Sequence, residues 1–133
     1  MSTLQSNPGF RLLAACLSLC HNSQISKHEG RWTAIGDPTD SACAVLGWKL
    51  NGEVRKFSQR HPRLHEFFFD TERKRMSVIH EYEGERWVFA KGAAGGFVPI
   101  TTHRYSDGEL VQISEDDLKE ASKRNKEMGS QSM

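Results

Sequence analysis

The sequence predicts an α+β domain, a twisted antiparallel β-sheet flanked by helices. Two observations within residues 64–91 carry the sheet. Three short runs there are rich in aromatic and β-branched residues, and turn residues separate them. A third observation carries the class: the remaining segments mostly show helical spacing or helix-capping residues, and the two kinds of segment come in blocks.

The elements follow in order. Phe10, Leu13, Ala14, Leu17 and Cys20 recur at helical spacing and predict a helix over 10–21. Residues 22–31 are polar and read as a loop. Trp32 to Ile35 suits a short strand ended by Gly36. Asp37-Pro38-Thr39-Asp40 is a helix start: Asp37 as N-cap, Pro38 in the first turn, and Asp40 completing a weak capping box. That helix continues through Ala42, Leu46 and Leu50 until Asn51-Gly52 breaks it. Residues 53–60 form a short polar helix stopped by Pro62.

Leu64 to Phe69 is a strand, and Met76 to Tyr82 a second, with Met76, Val78 and His80 alternating against Ser77, Ile79 and Glu81. Glu83-Gly84 turns the chain into a third strand, Arg86 to Lys91, giving an antiparallel meander. Gly92 to Gly96 is small and flexible. Tyr105 to Gly108 is a turn, and Leu110 to Ile113 a strand or an extended approach. Ser114, with Asp117 three residues on, caps a last helix to about Met128. The chain reads as one domain over 1–133, with 1–8 and 129–133 flexible.

Composition narrows the function. At 133 residues the chain can bury a real core. Its 18 basic and 17 acidic residues leave no whole-molecule field for gripping nucleic acid, so any cationic site is local. Three cysteines give no disulfide framework and suit a reducing compartment. Cys16, Cys20 and His21 read as helix residues rather than soft metal ligands, because no paired CxxC accompanies them. The apolar run Leu12 to Leu19 is far short of the roughly 20 residues that span a bilayer. No nucleophile–base or metal constellation stands out; His61, His65 and His80 are scattered on or near strands.

Residues 67–76, Phe-Phe-Phe-Asp-Thr-Glu-Arg-Lys-Arg-Met, run an aromatic strand into a cluster of cations. Fifteen residues on, Phe89-Ala90-Lys91-Gly92-Ala93 ends a second apolar run in a lysine. Flat rings beside fixed positive charge suit a base carrying phosphates: the rings stack on the base and the lysines face the phosphates.

Three segments together resemble the nucleotide-binding domain of P-type cation-transporting ATPases. Gly36-Asp37-Pro38-Thr39-Asp40-Ser41-Ala42 is similar to that family's GDPTE-x-A. Phe69-Asp70-Thr71-Glu72-Arg73-Lys74-Arg75-Met76-Ser77-Val78 is similar to its F-[DS]-[SR]-x-R-K-x-M-S-V, and Val88-Phe89-Ala90-Lys91-Gly92-Ala93 to its V-F-x-K-G-A. Upstream, Leu19-Cys20-His21-Asn22-Ser23 resembles an LCN-[ND]-[AS] segment. Order and spacing match over roughly residues 10–128. The pattern favours calcium-pump-like type II members over heavy-metal pumps, without fixing the ion.

The resemblance assigns roles. Phe69 is the adenine-stacking ring, a contact worth about 1–3 kcal/mol; by alternation it shares a strand face with Phe67, and Phe67 and Phe68 fit a core role. Lys91 is the pocket-floor lysine, beside Gly92, whose missing Cβ leaves room for a ligand. Lys74 is the phosphate-side cation, while Arg73 pairs with Glu72 or nearby acids. Thr39 and Asp40 stand for the family's T-E pair, whose carboxylate meets the adenine amino group; here it is one methylene shorter, and helix capping competes for it. The family continues K-G-A-P-E where this chain has Ala94-Gly95, which loosens the turn. Thr71 stands where many calcium pumps carry arginine.

The family's DKTGT, TGD and GDGxND segments are absent here, as are its membrane helices. The resemblance therefore implies a piece of a larger pump, cytoplasmic and soluble. It would bind ATP, with magnesium in the parent pump, and present the terminal phosphate to an aspartate on a separate phosphorylation domain. The chain itself would hold no catalytic residue, and neither nucleic acid nor membrane would be its partner. The rival reading is a fold-retaining interaction module with little nucleotide affinity.

Overall fold

The computed structural model describes residues 6–52 and 54–131. In chain order the elements are α1 (Pro8–Leu19), β1 (Gln24–His28), β2 (Arg31–Ile35), α2 (Pro38–Asn51), α3 (Val54–Arg60), β3 (Arg63–Asp70), β4 (Arg75–Tyr82), β5 (Glu85–Gly92), α4 (Ala94–Phe97), a 3-10 turn (Val98–Ile100), β6 (His103–Ser106), β7 (Glu109–Gln112) and α5 (Glu115–Ser130). The strands form an antiparallel meander β3-β4-β5 and two separate hairpins, β1-β2 and β6-β7. This is the α+β arrangement of antiparallel sheets with flanking helices.

All three two-residue hairpin turns have one solution. Glu29-Gly30, Glu83-Gly84 and Asp107-Gly108 each hold both central residues at positive φ. That backbone matches the right-handed twist of the flanking strands.

The core lies between α1 and one face of the meander. Ala15, Leu19 and Cys20 of the helix segment pack on Met76, Val78, Tyr82 and Phe89, with Phe57 and Trp87 closing the margin. Tyr82 meets Phe89 edge-on at 5.5 Å, a favoured ring geometry. In β4, Met76, Val78, His80 and Tyr82 are all buried, as the alternation expects, but Ser77 between them is buried as well.

Several expectations need correction. Residues 22–31 are not a loop, because Gln24–His28 pairs with Arg31–Ile35. Gly92 to Gly96 is not loose: α4 begins at Ala94, and the Arg75 guanidinium donates to the Gly96 carbonyl at 2.9 Å. Helix α1 buries Ala14, Ala15, Ser18 and Leu19, while Leu13 stays exposed. The face is rotated because α1 packs on α2 as well as on the sheet. Gly47 of α2 lies so near Ser18 that a Cβ would stand 2.9 Å from its backbone nitrogen. The buried Ser18 hydroxyl is satisfied by the Ala14 carbonyl and the Asn51 amide, both at 2.9 Å.

The caps of α2 and α5 split. Ser114 and Asp117 form the reciprocal box of α5. Asp37 caps α2 alone, accepting from the Thr39 and Asp40 amides. Asp40 is employed elsewhere. Of the stretches expected to be flexible, 1–5 and 132–133 lie outside the described residues; α1 begins at Pro8 and α5 runs to Ser130.

Candidate functional site: a lysine–aspartate pair on the inner sheet face

Lys91 lies directly opposite Met76, next to last in β5. Opposed residues in an antiparallel pair share a face, so Lys91 lies on the face that packs against α1. Its Nζ donates to Oδ1 of Asp40 in the first turn of α2. The side chains are only 19 % and 16 % exposed. The other Asp40 oxygen accepts the Asn22 backbone N–H at 2.9 Å. Burial opposes the Asp40 charge, but the Lys91 ammonium and the Asn22 amide outweigh it and hold the carboxyl below its usual range.

Asn22 organises what lies behind this pair. Its side-chain amide donates to Glu66, and its carbonyl oxygen accepts from Arg63 at 2.7 Å. Arg63 also reaches Glu66 at 3.0 Å and the carbonyls of Leu19 and His21 at 2.9 and 2.8 Å. The Leu19-Cys20-His21-Asn22-Ser23 segment is thus fastened to β3 and α2 together. The roles of Asn22, Arg63 and Glu66 went unread in the sequence; their one signal is that the first lies in a segment already singled out.

Cys16 and Cys20 hang over the same strand, their thiols donating to the Ala90 carbonyl at 3.7 Å and the Phe89 carbonyl at 3.5 Å. All three cysteines are free thiols. Contact with Cys20, aided by the Lys91 charge and opposed by burial, draws the Cys16 thiol below its ordinary value; the same contact pushes Cys20 up.

The second and third motifs meet through their backbones. Gly92 sits opposite Arg75, and a Cβ on it would collide with the Lys74 carbonyl and come within 2.7 Å of the Arg75 Cα. The same Lys74 carbonyl accepts from Ala93 N at 3.1 Å. Lys74 itself is exposed, at φ 52 in the β3–β4 turn. Asp70 builds that turn by accepting from the Glu72 and Arg73 amides at 2.7 and 3.1 Å. Arg73 pairs with Asp70 at 3.7 Å rather than with Glu72, and donates to the Phe68 carbonyl at 3.0 Å.

The phenylalanines depart from simple alternation. Phe67 lies opposite Ser77 and Asp70 opposite Arg75, so three steps of β3 match two of β4. The extra residue is a β-bulge. Asp70 resumes the face of Phe67, and the register leaves Phe69 on the opposite face, that of Met76 and Lys91. Phe69 is 61 % exposed. Neither Phe67 nor Phe68 is a core residue: both are exposed, and Phe67 packs on His65 at 4.6 Å with the Arg73 guanidinium 6.0 Å from its ring. The structure therefore joins Lys91 to Asp40 directly and Gly92 to the Lys74 turn. It sets Thr39, exposed, beside Asp40, and places Phe69 at the outer strand of the same sheet face.

The protein is thus an α+β domain that brings a lysine, an acid and an exposed ring to one sheet face. Residues 9–133 match the family described as "P-type ATPase, cytoplasmic domain N", and the chain belongs to that family. It is 35 % identical over 121 residues to calcium-transporting ATPase 1 of Lactococcus lactis, covering 91 % of this chain and 13 % of that protein. It is 31 % identical over 107 residues to calcium-transporting ATPase 1 of Bacillus cereus, covering 80 % of this chain and 12 % of that one. A sodium/potassium exporting P-type ATPase of Schizosaccharomyces pombe is 37 % identical over 84 residues, 62 % of this chain and 8 % of its own length. The chain thus spans about an eighth of the first two relatives. Among the described residues no helix is long and apolar enough to cross a membrane.

Proposed function

We propose that this chain is the ATP-binding part of a cation-transporting ATPase. The observation that carries the reading is the Lys91–Asp40 pair: two motifs 51 residues apart meet on one sheet face, with Phe69 on that face by register. Adenine stacks on the exposed Phe69 ring while Asp40 accepts from its amino group. Lys74 faces the phosphates, and Lys91, paired with Asp40, forms the pocket floor; Gly92 lets β5 close on the Lys74 turn. Relatives named as calcium-transporting ATPases support the larger setting.

Within the whole pump, closure of this domain on its neighbour delivers the terminal phosphate to an aspartate there, with magnesium held mostly by the neighbour. This chain positions the nucleotide and supplies no nucleophile. Incubation with radiolabelled ATP leaves it unlabelled; a stable phosphoenzyme on this chain would refute that part.

The rival reading, an interaction module with little nucleotide affinity, has one observation in its favour: Asp40 already neutralises Lys91. An NMR titration with magnesium-ATP separates the two. Saturable shifts at Phe69, Lys74 and Lys91, lost in Phe69→Ala, support nucleotide binding. Unchanged spectra at millimolar nucleotide would establish the rival.

A further inference from the structure

A cavity of about 900 Å³ opens between the end of α1, the β1–β2 hairpin and helices α2 and α3. Its volume suits a small organic ligand. Phe69, Lys74 and Lys91 are not among its lining residues; it lies behind the Lys91–Asp40 pair and shares Asn22 with it.

Two buried imidazoles stand in its wall, His21 and His80. His80 Nδ1 faces the His61 carbonyl at 2.7 Å and donates to it. The His21 ring nitrogens and His80 Nε2 are closed off from solvent and lie by the backbone of Ser23 and Leu19, so the two rings brace the wall.

The remaining wall has a consistent chemistry. Trp32 and Trp48 meet at 4.7 Å and give the cavity an aromatic side. Lys27, Arg55 and Arg63 all line it, and among the described residues no acidic one does. Arg63 is committed to Glu66, Asn22 and two carbonyls. Lys27 sits over the Trp32 ring at 5.4 Å, and Arg55 forms no ion pair among the described residues. A wall with cations and rings selects for negative charge and planarity at once.

We infer that this cavity binds a small planar organic anion, in chemical class an aromatic carboxylate. The inference does not depend on nucleotide binding.

The test uses the isotope-labelled 133-residue chain, 4-hydroxybenzoate as the probe and 4-hydroxybenzamide as its uncharged counterpart. The acid shifts the Trp32 and Trp48 indole N–H signals saturably, and the amide binds about tenfold more weakly. Phe69→Ala leaves this affinity unchanged. Arg55→Gln lowers it by about tenfold, and Lys27→Gln, on the exposed hairpin, also lowers it should Arg55→Gln fail to fold. The inference is overturned if the acid produces no saturable shifts, if acid and amide bind alike, or if the shifts fall at Phe69 and Lys91 instead.

Discussion

Lys91 donates to Asp40 across 51 positions of sequence, and the contact ties the last residues of the central meander to the first turn of α2. Both side chains are less than one-fifth exposed, so the pair is shielded from most solvent screening. Removing one partner leaves the other buried and unsatisfied. Asp40→Asn and Lys91→Met should each cost about 1–3 kcal/mol. The double variant should lose less than the sum. Urea unfolding of the four proteins measures the coupling, and strict additivity would show that the pair contributes nothing.

Phe69 and Phe67 should behave oppositely. Phe69 is exposed on the Lys91 face, so Phe69→Ala should weaken ATP binding by about 1–3 kcal/mol and leave stability within about 0.5 kcal/mol of the parent. Phe67 lies under the Arg73 guanidinium and against His65, so Phe67→Ala should disturb the β3–β4 turn and spare ATP affinity. Calorimetric titration of both variants decides; a larger affinity loss from Phe67→Ala would overturn the assignment of faces.

Acid should unfold the chain in two windows. Burial, assisted by the Lys91 charge, holds the His21 imidazole below its ordinary value, and burial likewise depresses His80. The unfolded chain takes up protons on these groups near pH 6.5, while the folded chain resists until lower pH. Stability is therefore full above about pH 6.5 and falls as pH drops from there. The depressed Asp40 carboxyl adds a second loss below about pH 4. His21→Gln should flatten the upper window and Asp40→Asn the lower, both read from urea midpoints between pH 7.5 and 3. A midpoint that rises on acidification would contradict both.

Gly92→Ala forces a methyl group into the Lys74 carbonyl and the Arg75 backbone. Backbone cannot rotate aside as a long side chain can, so the substitution should cost about 1–3 kcal/mol. The amide signals of Lys74 and Ala93 should move most. Wild-type stability in this variant would mean that the close approach is not maintained in solution.

The meander was legible in β4 and β5 because burial of one face imposes alternation on the sequence, and in β3, which has no buried residue, through its aromatic run. Strand β1 left no such mark: only Ile25 among Gln24–His28 is even partly buried. Its signal was the Glu29-Gly30 turn, read only as part of a polar stretch. The capping role of Asp37 is local and could be read from its neighbours. The partner of Asp40 is non-local, and no pattern around residue 40 distinguishes a cap from an ion pair. The rotation of α1 was hidden for a related reason: Ser18 is buried because Gly47 on another helix makes room for it.

The additional residue between Phe67 and Asp70 is slack in this strand. Exchanging Phe68 for another side chain leaves the number of steps unchanged, and the neighbouring ring keeps its direction. Deleting Phe68 would set Phe69 directly opposite Met76 in strict alternation, so the ring would keep its face and only the kink would go. The direction of the stacking ring is therefore set from the Asp70–Arg75 end, and the strand is one residue longer than that direction requires.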